Sequence, residues 1–284
     1  MHSEDATPAI EQVEQLMLEL VLHDTGGAGK AAAYHLSAGG SRVRARLALE
    51  ASRALALADD QAIAIAAACE LLHNASLVHD DLQDKDPVRR GRDAVWRRHG
   101  EAAAVCVGDL LLSAAYAALA RTGPSAGALI ARMHHRVATV IRGQCEDIAM
   151  QGRSLGRLDT YEKVARAKSG PLLILPIELA LALAGREEAI ATAVEAGSLF
   201  AVAYQVSDDL EDVERDALNE ELNIVAVLAA AGESEPRVCA SELAVIRFGQ
   251  AYAAAQALPC GCGALLAAQA QRRAAALSKA LETT

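Results

Sequence analysis

Between its glycines and prolines the chain repeats apolar residues at spacings of three and four, the period of helices with a buried face. That pattern predicts helices near residues 8–24, 28–38, 42–57, 60–84, 101–121, 125–151, 158–169, 171–184, 187–213, 221–231, 238–257 and 262–282. The breaks fall at paired glycines such as Gly26-Gly27 and Gly39-Gly40, at the basic stretch through Gly91, and at Gly123-Pro124, Gly170-Pro171 and Pro259. None is long and rich in Ser and Pro, so the expectation is one domain over residues 1–284. The segments 60–84 and 187–213 are apolar on more than one face, which suits the middle of a bundle. Each ends in the same pattern, Asp-Asp-x-x-Asp, at 80–84 and at 208–212.

Composition strengthens the helical reading. The 284 residues include 64 Ala, against 2 Phe and 1 Trp. Alanine is the best helix former and a poor strand former, so the expected fold is all-α, a single large helical bundle. A net charge of −10 argues against nucleic acid as a partner, because such binding rests on neutralising phosphates. The best membrane candidate, Pro171 to Ala184, is short and carries Glu178, so no membrane span is expected. Met1 to Ala6 contains Glu4 and Asp5 and does not read as a signal peptide. The six Cys are scattered, four of them in alanine-rich helical segments. They read as small buried thiols of a reducing compartment, and the expected location is cytoplasmic.

The aspartate clusters carry the chemistry. Asp80 and Asp84 share a helix face one turn apart, as do Asp208 and Asp212, with Asp81 and Asp209 beside them. Adjacent like charges repel, and an apolar bundle has no structural need of them. Carboxylates without His or Cys neighbours suit hard cations, and magnesium fits best, since it keeps waters and takes further oxygens from phosphate. A di-iron bundle would want Glu-x-x-His on two helices, and only Glu70 to His73 provides one. Basic residues follow closely: Arg89-Arg90-Gly91-Arg92, then Arg97-Arg98-His99. A second basic group, Ser41-Arg42-Val43-Arg44, opens a helix, where backbone N–H groups also favour anions. Arginine forks match phosphate oxygens, so the combination points to a diphosphate.

The stretch from His79 to Gly91 resembles the first aspartate-rich motif of the trans-polyprenyl diphosphate synthases, and Tyr204 to Asp212 resembles their second. Between them Gly108-Asp109, Gly143-Gln144-x-x-Asp147 and Lys168-Ser169-Gly170 follow in the family's order. The resemblance runs from about Gly39 to Asn223. It implies an isoprenoid-synthase-type bundle with a central active-site cavity, a homodimer, and head-to-tail condensation of isopentenyl diphosphate with an allylic diphosphate. It implies Mg2+, about three ions per active site, held by Asp80, Asp84, Asp208, Asp209 and Asp212, with Asp81 in support. Arg89, Lys168, Ser169 and Gln205 would hold the allylic diphosphate, and Arg42, Arg44, His73 and Arg90 the isopentenyl diphosphate. Gln144 and Asp147 are further candidates. Product length would be set by Ala75 and Ser76, with Leu72 and Tyr116 lower down. Both positions before the motif are small, which favours geranylgeranyl diphosphate, with farnesyl and longer diphosphates as alternatives.

Two departures from the family's pattern stand out. Ser41 occupies the place of a usual Lys, and no Lys follows the second motif between Val213 and Asn223. A class I terpene cyclase and a noncatalytic partner subunit of a synthase are the other readings.

Overall fold

Helices account for nearly all of this computed structural model, which describes residues 6–23, 26–150, 158–219 and 222–282; the side chains of residues 6–7, 147–150, 168–169 and 218–219 also fall outside the described residues. In chain order they are α1 (Ala6–Val21), α2 (Gly27–Leu36), α3 (Val43–Ala54), α4 (Asp59–Gln83), α5 (Val95–His99), α6 (Glu101–Leu119) and α7 (Ala126–Met150). Then come α8 (Leu158–Leu183), α9 (Ile190–Asn219), α10 (Ile224–Ala230), α11 (Pro236–Gln256) and α12 (Ala264–Leu281). A two-stranded antiparallel hairpin, β1 (Val88–Arg89) and β2 (Arg92–Asp93), lies between α4 and α5. The all-α expectation holds.

Contacts divide the chain into two compact units, Met1–Arg132 with Leu179–Gly185, and Met133–Glu178 with Arg186–Thr284. In the first, α4 packs against α6, α3 and α1. Its core side chains include Ile65, Leu71, Leu111 and Leu119, all fully buried. The long apolar pattern before Asp80 therefore has partners on several sides, as a central helix requires. In the second unit α9 packs on α11, and α11 on α12. Tyr161, Val202, Val206, Ile224 and Val225 form the core beneath the second aspartate cluster.

Two sequence expectations are corrected. The break at Gly170-Pro171 is absent, and α8 runs through it with Pro171 and Pro176 inside. Burial of Ile174, Leu175 and Ile177 on this helix outweighs the cost of the prolines. By length and composition three helical stretches, Asp59–Gln83, Glu101–Glu146 and Glu187–Ala217, are apolar enough to cross a membrane. None is an uninterrupted apolar run, since scattered polar residues break each one while barely lowering the mean of an alanine-rich helix. The cysteines are not all buried: Cys69 and Cys262 are, while Cys106, Cys145 and Cys260 are exposed.

Candidate active site

In the first unit, α4 delivers Asp80 and Asp81 on its last turn, and Asp84 caps its end by donating its N–H to the Asp80 carbonyl at 2.8 Å. The three carboxylates are not equivalent. Asp81 is 1% exposed and accepts from the Arg89 guanidinium, whose Nε lies 2.8 Å from Oδ1. Its Oδ2 is buried without a hydrogen-bond partner. Burial pushes the Asp81 carboxyl up despite the arginine. Asp80 is half-buried and Asp84 exposed, so the pair at i and i+4 is the accessible one.

Arg89 reaches Asp81 because the hairpin turns the chain back on α4. Arg90 (φ 52°) and Gly91 (φ 73°) both take the left-handed conformation that a tight two-residue hairpin turn demands. Arginine is a strained choice there. The turn aims Arg90 at the Gly39 carbonyl, which accepts from its guanidinium, and at Asn74 Oδ1 at 3.4 Å. A Cβ on Gly40 would stand 2.9 Å from that guanidinium, so glycine is what lets the arginine lie there.

Around Arg90 lies a cationic cluster that the sequence only half revealed. His35 Nε2 is 3.0 Å from Asn74 Oδ1, and Asn74 donates its amide to the Glu70 carbonyl. Burial first, then the charge of Arg90, holds His35 down at about 4. Burial and Arg44 likewise keep His73 well below the ordinary imidazole range. Both rings are thus neutral near pH 7, leaving Arg44 and Arg90 as the cations. Buried Glu70 accepts from the Ala45 N–H at 3.0 Å and caps α3, which is a structural use for the acid of the Glu-x-x-His pair. Arg42 is 6% exposed, donates to Glu14 at 2.8 Å and to the Leu36 carbonyl at 3.1 Å, and keeps one guanidinium nitrogen without a hydrogen-bond partner.

The second cluster repeats the logic of the first. Asp209 is 2% exposed, and three donors, each at 2.8 Å, converge on it: Tyr161 Oη, Gln205 Nε2 and the Ile224 N–H. Both of its oxygens thus accept hydrogen bonds within the protein, one of them from the Gln205 amide. Asn223 ties the same corner, donating to the Asp209 carbonyl and to Asp216. Asp208 and Asp212 are half-buried, and Asp212 accepts from Arg215 at 2.7 Å. Burial raises Asp208 to about 7, with Arg273 opposing and Glu211, Asp209 and Asp212 adding to the rise.

Among the described residues no three His, Cys, Asp or Glu side chains gather into a closed metal cage. Each cluster instead offers two accessible carboxylates one turn apart. That donor set fits magnesium, which binds one or two carboxylates and completes its shell with water and phosphate.

Of the remaining candidates, Ala75 and Leu72 are buried in α4, Ser76 is half-buried, and Tyr116 is half-buried on α6. Gln144 lies on α7 beside Gly143, whose Cβ would meet Ala167 at 3.1 Å. The side chains of Asp147, Lys168 and Ser169 lie outside the described residues. Gly108 of α6 has a steric reason: a Cβ there would stand 2.0 Å from His79 Nε2.

Residues 28–223 match the family described as polyprenyl synthetase. The (2E,6E)-farnesyl diphosphate synthase of Mycobacterium bovis is 36% identical over 173 residues, which is 60% of this chain and 48% of that protein. The match thus spans about half the length of that relative. A farnesyl diphosphate synthase of Geobacillus stearothermophilus is 33% identical over 229 residues, 72% of this chain and 76% of its own. In three dimensions the geranylgeranyl pyrophosphate synthetase of the archaeon Geoglobus acetivorans shares the fold, with a TM-score of 0.83 over 95% of this chain and 97% of that one at 23% identity.

Proposed function

The chain belongs to the polyprenyl synthetase family, and from that premise we propose that it condenses isopentenyl diphosphate with an allylic diphosphate into a linear trans-prenyl diphosphate. The observation that carries the reading is the split within both aspartate triplets. In each, the middle carboxylate is buried and hydrogen-bonded within the protein, while the outer two, one turn apart, are more exposed. A solvated helix end would not bury its second aspartate twice.

Asp80 and Asp84, and separately Asp208 and Asp212, would hold magnesium, which when bound supplies charge to the departing diphosphate. Arg89, already oriented by Asp81, would present its remaining N–H groups to the allylic diphosphate, and Lys168 and Ser169 are further candidates by sequence. Preorganised charge of this kind is effective because it costs no reorganisation as the C–O bond breaks. Arg44 and Arg90 hold the isopentenyl diphosphate, and neutral His73 gives it an N–H. The reaction requires that water be kept from the allylic cation until it meets the alkene. We take the chain as one domain working as a cytoplasmic homodimer, and the product as geranylgeranyl diphosphate.

Pure protein incubated with Mg2+, isopentenyl diphosphate and allylic primers of several lengths should form a longer linear diphosphate. Asp80→Asn or Asp208→Asn should cut turnover at least about a hundredfold, the scale of lost electrostatic stabilisation, with helicity unchanged. Near-normal turnover in either variant would overturn the reading.

A further inference from the structure

The second aspartate cluster has a cation that the sequence does not announce. Tyr204, Asp208 and Asp212 are spaced by four on α9 and so occupy one face of it. The guanidinium of Arg273, from α12, lies 4.4 Å from the centre of the Tyr204 ring. Stacking uses the flat face of a guanidinium and leaves its in-plane N–H donors free for oxygen acceptors. The neighbouring arginines are already committed: Arg215 to Asp212 and Asp216, and Arg237 to the Leu210 carbonyl. Arg273 makes no ion pair within 4.0 Å among the described residues, and the ring it covers lies one helical turn before Asp208. A positive group held near acids but not touching them is arranged for an anion that comes between.

We propose that Arg273 is a diphosphate-binding residue, its guanidinium laid on Tyr204 over the Asp208–Asp212 face so that it contacts phosphate oxygens bound to magnesium there. This rests on the reading of Asp208 as a magnesium ligand. It also gives a physical answer to the missing lysine between Val213 and Asn223: the charge arrives from α12, fifty residues further on.

A mere counter-charge makes the opposite prediction for pyrophosphate, though not for metal alone. Removing it would tighten Mg2+ on the carboxylates and leave pyrophosphate affinity unchanged or stronger. Calorimetry of inorganic pyrophosphate binding, with and without Mg2+, separates the two. Wild-type protein should bind pyrophosphate only with Mg2+, and Asp208→Asn should lose that binding. Arg273→Gln should bind it about ten- to a hundredfold more weakly, the equivalent of one charge-assisted contact, with Mg2+ affinity equal or higher. Arg273→Lys keeps the charge without the flat fork and should fall between; it decides the matter if the glutamine variant does not fold. Wild-type pyrophosphate affinity in the Arg273 variants, with Asp208→Asn impaired, overturns the inference and leaves the functional reading standing. Wild-type affinity in Asp208→Asn overturns both.

Discussion

Tyr161, Gln205 and the Ile224 amide converge on one carboxylate, and the cost of a buried Asp209 is met by those three donors together. Tyr161→Phe removes a donor but little volume, leaving Oδ2 with the amide alone. A hydrogen bond to a charged group contributes about 1.5–3 kcal/mol, so the midpoint of thermal unfolding should fall measurably. An unchanged midpoint would mean that Asp209 is neutral in the folded protein. His35 gives a second residue-level test. Its folded value is about 4 against 6.5 for the free side chain. Below pH 6.5 the unfolded chain takes up a proton that the folded chain refuses. Stability from this group is therefore complete above pH 6.5 and is lost as pH falls towards 4, by on the order of 3 kcal/mol in all. Urea unfolding at pH 7 and pH 5 should show wild type losing about 2 kcal/mol more than His35→Gln. Equal losses in the two proteins would show that another group titrates.

At the scale of elements, closeness of approach decides what substitutions do. Gly197 of α9 meets the root of Ile174 on α8: a Cβ there would lie 2.5 Å from the isoleucine Cβ, which cannot rotate away. Gly197→Ala should force these helices apart and cost about 1–3 kcal/mol in chemical unfolding. Gly249 of α11 has open space around it, and Gly249→Ala should stabilise by up to about 1 kcal/mol through helix propensity. Opposite signs for one chemical change test whether packing or propensity dominates at each position. The same distinction explains what could be read from the chain. The central helices α4 and α9 were legible because apolar periodicity and a terminal acidic triplet are both local signals. So were Asp80, Asp84, Asp208 and the arginines after the first motif. The hairpin was not, since its turn places arginine where Asn or Gly would signal it, and its strands have two residues each. The inward fold of Asp209 depends on Tyr161, 48 residues away, and Arg273 meets Tyr204 across a still longer separation. Pairings of that kind leave no trace in local spacing. The ion pair of Arg42 is hidden for the same reason, because its partner Glu14 sits on α1.

For the molecule as a whole, alanine abundance does more than favour helices: it leaves small side chains along α4, where a growing chain would need room. Its apolar character also brings three stretches to membrane-span composition, although 72% of the α4 window is buried among the protein's own helices. Product length is where this composition meets function. Ser76 is half-buried, one turn before Asp80 and on the same face, with its hydroxyl donating to the His73 carbonyl at 2.8 Å. Ala75 is instead 3% exposed, inside the packed core. Ser76→Phe therefore places a ring on the face of α4 that carries Asp80, at a position that is not fully buried. Under the proposed function it should shift the product from twenty carbons to fifteen while turnover of the short primer survives. Ala75→Phe should mainly overpack the core, costing about 1–3 kcal/mol and lowering the yield of folded protein. Chromatography of the products, with a thermal melt of each variant, reads both effects. If Ser76→Phe folds, turns over and still makes wild-type lengths, the chain does not grow past this face of α4, and the floor of its path lies on another element.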